Sequence, residues 1–176
     1  MCIGTLGLIE ENPCRGLRRL PENNHRTRYL TEKEQQRLLR VCKSDSNLHD
    51  VVLLALLTGA RRGEICGLRW RDVDLKNRTV TFVQTKNGEI WKVPLSDPAI
   101  ALLRCQFSQR VKGMNDWVFP AEKSDGPVDV SHRFGRYAKK AGLEDFRFHD
   151  LRHSAASAMA RAGVPERQMQ EVLGHK

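Results

Sequence analysis

The stretch "RTVTFVQTKNGEIWKVPL", residues 78–95, is where the sequence changes period. β-Branched and aromatic runs flank Lys86, Asn87 and Gly88, and Asn-Gly between two such runs is the strongest short hairpin signal a sequence carries. The stretch reads as two antiparallel strands with Lys86 on the turn or at its mouth. The chain on both sides reads mainly as helix. The fold class that follows is α+β, mostly α-helical, with one small antiparallel β-sheet.

Upstream of the hairpin, "TEKE" at 31–34 is a capping box, with Thr31 as N-cap and Glu34 at the third helical position. Its helix runs through Leu38, Leu39 and Val41 to about Lys43. "LHDVVLLALLTGA", residues 48–60, is apolar nearly all round and belongs at the centre of the core. Gly59 punctuates it, and "RGEICGLRW" restarts a short helix.

Downstream, "SDPAIALLRCQFSQRV" is a helix opened by Ser96 or Asp97, with Pro98 in its first turn. "DWVFP" at 116–120 reads as a short strand or loop. "DVSHRFGRYAKKAGL" and "HDLRHSAASAMARAG" are helices, the second ended by Gly163, and Pro165 opens a last helix, "PERQMQEVLGH". No internal repeat is visible.

A chain of 176 residues is long enough for one domain with a proper core. Its 30 Lys and Arg against 21 Asp and Glu give a net charge of +9, which points to a polyanionic partner, most often nucleic acid. No apolar run approaches the roughly 18 residues of a membrane span, and residues 1–10 lack a signal-peptide pattern. The five cysteines (2, 14, 42, 66 and 105) are scattered and form no C-x-x-C pair, so they suggest neither a zinc knuckle nor a disulfide framework. Cys42 and Cys66 fall in apolar helical stretches and are expected to be buried thiols. The cytoplasm is the expected compartment.

Two clusters carry candidate chemistry. In "TGARRGEICGLRW", Arg61 and Arg62 follow the end of the apolar helix, a place suited to holding an oxyanion; alternatively Arg61 pairs with Glu64 one turn on, as a structural ion pair. In "FRFHDLRHSAA", His149 and Arg152 are three apart and share a helical face. A histidine donor beside an arginine suits an anionic, phosphorane-like transition state, and Lys86 and His175 would extend the set. The plainer alternative has His149 capping the helix and Arg152 in solvent. A third alternative treats "HDLRH" as a variant of the helical zinc pair H-E-x-x-H, with His149, His153 and His175 as ligands of a hydrolase. The arginines and lysines gathered around it would repel a dication, so no metal and no cofactor are expected.

"TGARRGEICGLRWRDVDL", "TKNGEIWKVPL" and "FHDLRHSAASAMARAGVPERQMQEVLGHK" resemble, in order and spacing, the motifs of the tyrosine recombinases, the phage integrases and their relatives. The resemblance covers roughly residues 28–176. It implies the DNA breaking-rejoining catalytic domain of a site-specific recombinase, with double-stranded DNA as partner. By position it makes Arg61, Lys86, His149, Arg152 and His175 catalytic and Glu64 their support. Such residues clamp the scissile phosphate while a tyrosine attacks it, giving a 3′-phosphotyrosine and a free 5′-hydroxyl.

The same resemblance assigns residues 1–28 to the linker from an N-terminal core-binding domain and 29–176 to the catalytic domain. The family's tyrosine follows L-G-H by a short segment, beyond Lys176, so the expected nucleophile is none of the residues in this chain. Tyr29 and Tyr137 do not occupy its position. The chain alone is expected to form no covalent DNA adduct and to be monomeric, its parent tetrameric on DNA. A DNA-binding module that keeps the fold without cleavage is the competing function.

Overall fold

The computed structural model describes residues 28–84, 89–110 and 116–174. Thr31 opens helix α1 (Glu32–Cys42): its hydroxyl accepts from the Glu34 amide at 3.3 Å, and the Glu34 carboxylate accepts from the Thr31 amide at 2.9 Å. Asp45 caps α2 (Ser46–Thr58) by accepting from the Leu48 amide at 3.0 Å. Helix α2 is apolar on almost every face because it is covered on almost every face. It packs against α1, a short α3 (Arg62–Cys66), α4 (Asp97–Ser108) and α6 (Asp150–Arg161). Leu48, Val51, Val52, Leu54 and Ala55 are fully buried, each larger side chain contributing about 1.5–3 kcal/mol of apolar burial.

The sheet has the order β1-β2-β3, all antiparallel, with β1 Val73–Asp74, β2 Thr79–Gln84 and β3 Glu89–Pro94. The hairpin is the one expected, pairing Thr79 with Pro94 through Gln84 with Glu89. Alternation then sorts the side chains: Val80, Phe82 and Val93 are buried with Trp91 beside them, while Ile90 and Lys92 face out. Strand β1 was not foreseen; two residues are too short to show a period, and only pairing with β2 defines them. The "DWVFP" segment is neither a regular strand nor free loop, since single bridges tie Arg69 to Trp117 and Pro120 to Pro127.

Helix α5 (Ser131–Lys140) packs on α1 through Phe134 and Ala138. Helix α7 (Glu166–Leu173) lies between α6 and β3. It ends at Gly174, whose φ of +63° is left-handed and where a Cβ would come within 2.8 Å of the Trp91 ring. The last helix therefore closes onto the hairpin by backbone contact. Among the described residues, no helix is long and apolar enough to cross a membrane.

Candidate active site

The site begins at the turn after α2. The Thr58 hydroxyl donates back to the Leu54 carbonyl at 2.7 Å and accepts from the Ala60 amide at 3.3 Å, so the helix ends in a fixed bend. Gly59 continues it with φ +69°, a left-handed value open to glycine at little cost. The bend delivers Arg61 to the N-cap of α3. Glu64 holds it twice, accepting from the Arg61 amide at 2.7 Å and from Nη1 at 2.9 Å. The Glu64 side chain is 8% exposed against 34% for Arg61, so a buried carboxylate orients a half-open guanidinium.

The second half comes from the start of α6. Buried Asp150 accepts from the Arg147 amide at 2.8 Å, which pins the turn carrying His149. His149 occupies the N-cap position, yet its side chain makes no capping bond and its ring is exposed. One helical turn on, Arg152 is only 4% exposed. Its Nη1 donates to the Gly59 carbonyl at 2.9 Å and its Nη2 to the Leu173 carbonyl. Two of its five N–H donors thus lock α6 to the α2 bend and to the end of α7. Among the described residues no carboxylate pairs with it.

These pieces enclose a cleft of about 400 Å³, walled by Arg61, Arg62, Arg147, Phe148, His149 and Arg152. Its field is positive. Burial, and then the charge of Arg61, bring the Arg152 guanidinium down to about 10, so it stays protonated at neutral pH. Partial desolvation, then His153 and Arg152, hold the His149 imidazole below its ordinary value; Asp150 opposes them weakly. His149 is therefore neutral at pH 7 in the empty cleft, and an arriving anion would favour its protonated form. The chemistry on offer is that of an oxyanion clamp: two guanidiniums, one preset by a carboxylate and one by carbonyls, with an imidazole beside them.

Four of the six residues singled out in the sequence meet here: Arg61, Glu64, His149 and Arg152. Lys86 and His175 lie outside the described residues. The ion pair of Arg61 with Glu64 is real, and it is compatible with a role in the cleft because it leaves the arginine partly open. The plainer reading of α6 fails on both counts, since His149 does not cap through its side chain and Arg152 is buried. His153 is exposed and stands edge-on to His149 at 5.2 Å between ring centroids. Among the described residues no three His, Cys, Asp or Glu side chains converge as metal ligands. Arg62, which the sequence places beside Arg61 after the apolar helix, is on the wall as well; Arg147 had no sequence signal, because an exposed arginine looks alike everywhere in a basic chain.

Neither tyrosine lines this cleft. Tyr29 is half exposed ahead of α1, and Tyr137 packs half-buried on α5, where its hydroxyl accepts from Ser44 at 3.4 Å. Cys42 and Cys66 are buried as expected, and burial pushes their thiols up to about 12 and about 11.

The fold is shared with solved recombinases. Over 88% of this chain and 57% of the other, the crystal structure of XerA recombinase superposes with a TM-score of 0.74 at 28% identity. Residues 28–176 match the model of the phage integrase family, and the chain belongs to that family. It is 38% identical over 167 residues to the integrase of Salmonella phage P22, covering 86% of this chain and 41% of that protein. It is 30% identical over 172 residues to the shufflon-specific DNA recombinase of Escherichia coli, covering 97% of this chain and 43% of that one. The chain thus spans less than half the length of these curated relatives.

Proposed function

We propose that residues 29–176 are the catalytic domain of a site-specific DNA recombinase and that the cleft binds the phosphodiester to be broken. One observation carries this reading. Arg152 is a buried cation whose bonded partners are backbone carbonyls, and it shares a cleft with Arg61. A buried guanidinium with no carboxylate bonded to it, Glu64 acting only through space, is costly unless an anion arrives to complete it. A phosphodiester supplies one negative charge and two non-bridging oxygens, which suits the forks of Arg61 and Arg152.

In this reading the two arginines take the non-bridging oxygens, and Glu64 keeps Arg61 aimed. His149 donates to a non-bridging oxygen as negative charge grows on it. The motif order adds Lys86, to protonate the leaving 5′-oxygen, and His175 as a further donor. A tyrosine hydroxyl from the sequence that follows L-G-H in the family attacks phosphorus. The P–O5′ bond breaks as the phosphotyrosine bond forms, the tyrosine proton is lost and the 5′-oxygen gains one. Because the phosphoester count is unchanged, the 5′-hydroxyl can reverse the step without ATP. No metal or cofactor enters this scheme. The names of the P22 and Escherichia coli relatives, an integrase and a DNA recombinase, support double-stranded DNA as the substrate. Residues 1–28 are proposed as the linker from a core-binding domain.

The test uses a chain extended beyond Lys176 so that it carries a tyrosine where the family has one. On a nicked suicide duplex, Arg61→Ala is expected to remove the covalent adduct, since one lost oxyanion donor costs about 10²–10³ in rate, while most duplex affinity remains. Loss of affinity together with the adduct would instead mark a DNA-binding module without cleavage.

A further inference from the structure

The cleft holds more positive charge than one phosphate can use. Four guanidiniums wall it and no carboxylate does. Glu64, behind the wall, offsets Arg61, and a single phosphodiester would complete Arg152. Arg62 and Arg147 remain. Both are exposed on the walls, one on α3 and the other on the turn before α6, so they reach the cleft from two different elements.

Neither is engaged by the protein in a way that would hold it back. Among the described residues Arg62 forms no hydrogen bond or ion pair. Its charge acts on Asp129, but that carboxylate accepts from the Ser131 amide at 2.8 Å and the Ser131 hydroxyl at 2.6 Å. Arg147 lies 4.0 Å from Asp145, with the two side chains 73% and 76% exposed, a contact worth about 0–1 kcal/mol at most. Concentrating uncompensated like charge around a cleft costs stability, and that cost is recovered only when anions occupy it.

We propose that Arg62 and Arg147 bind the DNA phosphates on either side of the one held by Arg61 and Arg152. The inference rests on the recombinase reading above and deepens it. A DNA strand presents one phosphate per roughly 3.4 Å of helix axis, so a strand whose phosphate lies in the clamp necessarily carries its two neighbours past the cleft walls. Backbone phosphates at these places fix register without reading sequence. The two arginines therefore position the scissile bond and contribute affinity that does not depend on the target site.

Each phosphate neutralised by an arginine releases condensed counterions and adds about 0.9 to the slope of log affinity against log salt. The measurement is fluorescence anisotropy of a short labelled duplex of arbitrary sequence, titrated from roughly 50 to 200 mM salt with the present chain and its variants. Arg62→Gln and Arg147→Gln are each expected to lower the slope by about 0.9, so that the affinity lost across that range shrinks about 3.5-fold per variant. Arg104→Gln removes another exposed arginine, from α4 and outside the cleft, and is expected to leave the slope unchanged.

A steep salt dependence in the wild type with unchanged slopes in Arg62→Gln and Arg147→Gln would overturn the inference and leave the recombinase reading intact. An equal drop in Arg104→Gln would assign the effect to net charge and also overturn it. Absence of salt-dependent binding in the wild type would sink both.

Discussion

Gly59 is the position where one added carbon should do most damage, and the reasons can be separated. In Gly59→Ala the residue must keep φ +69°, a left-handed conformation that costs a residue with a Cβ about 1–2 kcal/mol. The new methyl would overlap Leu173 Cδ2 and lie 3.5 Å from Ala155 Cβ, and overpacking of that kind costs about 1–3 kcal/mol. The sum, about 2–5 kcal/mol, is a large part of the roughly 5–15 kcal/mol that holds a domain together. The assay is urea unfolding followed by tryptophan fluorescence, where a loss near 2 kcal/mol lowers the midpoint by about 1 M. Leu173→Ala provides the control. It removes the overlapping methyl but not the backbone cost, so the double variant should be less destabilised than the two singles added together, by about 1–3 kcal/mol of coupling. A cost below about 1 kcal/mol for Gly59→Ala, or strict additivity in the cycle, would refute the close approach of α7 to the α2 bend.

The two cleft arginines should separate stability from binding. Arg152→Ala leaves the Gly59 and Leu173 carbonyls without their donor and is expected to cost about 2–4 kcal/mol in the same unfolding assay, whereas Arg61→Ala, which leaves buried Glu64 the Arg61 amide but not the guanidinium, should cost about 1–2 kcal/mol while weakening inorganic phosphate binding. The His149 ring, followed by NMR, should titrate below the ordinary imidazole value of 6.5, move upward in His153→Gln, and move upward again on adding phosphate. Because its folded-state value is depressed, folding is favoured above 6.5 and this contribution fades as pH falls toward the folded value; a raised value would contradict the positive cleft. Thr31→Ala should cost about 1 kcal/mol through loss of the α1 cap. The Arg28 side-chain bond and the Thr31 amide hold the neighbouring Glu34 carboxyl at about 2, so its share of stability should persist above 4.5 and disappear as pH falls toward 2.

Much of the local structure was legible because it is dictated locally. Thr31 and Glu34 satisfy helix-end amides wherever they stand, the β-branched and aromatic runs at 79–84 and 89–94 favour strands, and the apolar run of α2 requires a core on all sides. The pair of Arg61 with Glu64 belongs to the same class, since three residues apart in a helical turn already brings them together. Strand β1 and the bridges of residues 116–127 lay beyond reach because their definition is a partner, not a pattern.

The sequence by itself determined the helix and hairpin order, the positive charge and the motif residues that suggest phosphate chemistry. Only the tertiary structure decided that Arg152 is buried and not solvated. Its acceptors are the carbonyls of Gly59 and Leu173, distant in sequence and brought to one point by the crossing of α2, α6 and α7. Only the tertiary structure, likewise, turned four arginines from two separate segments into one cleft. The reason is physical: a propensity or a cap acts over one helical turn, while burial and electrostatic potential depend on which surfaces meet.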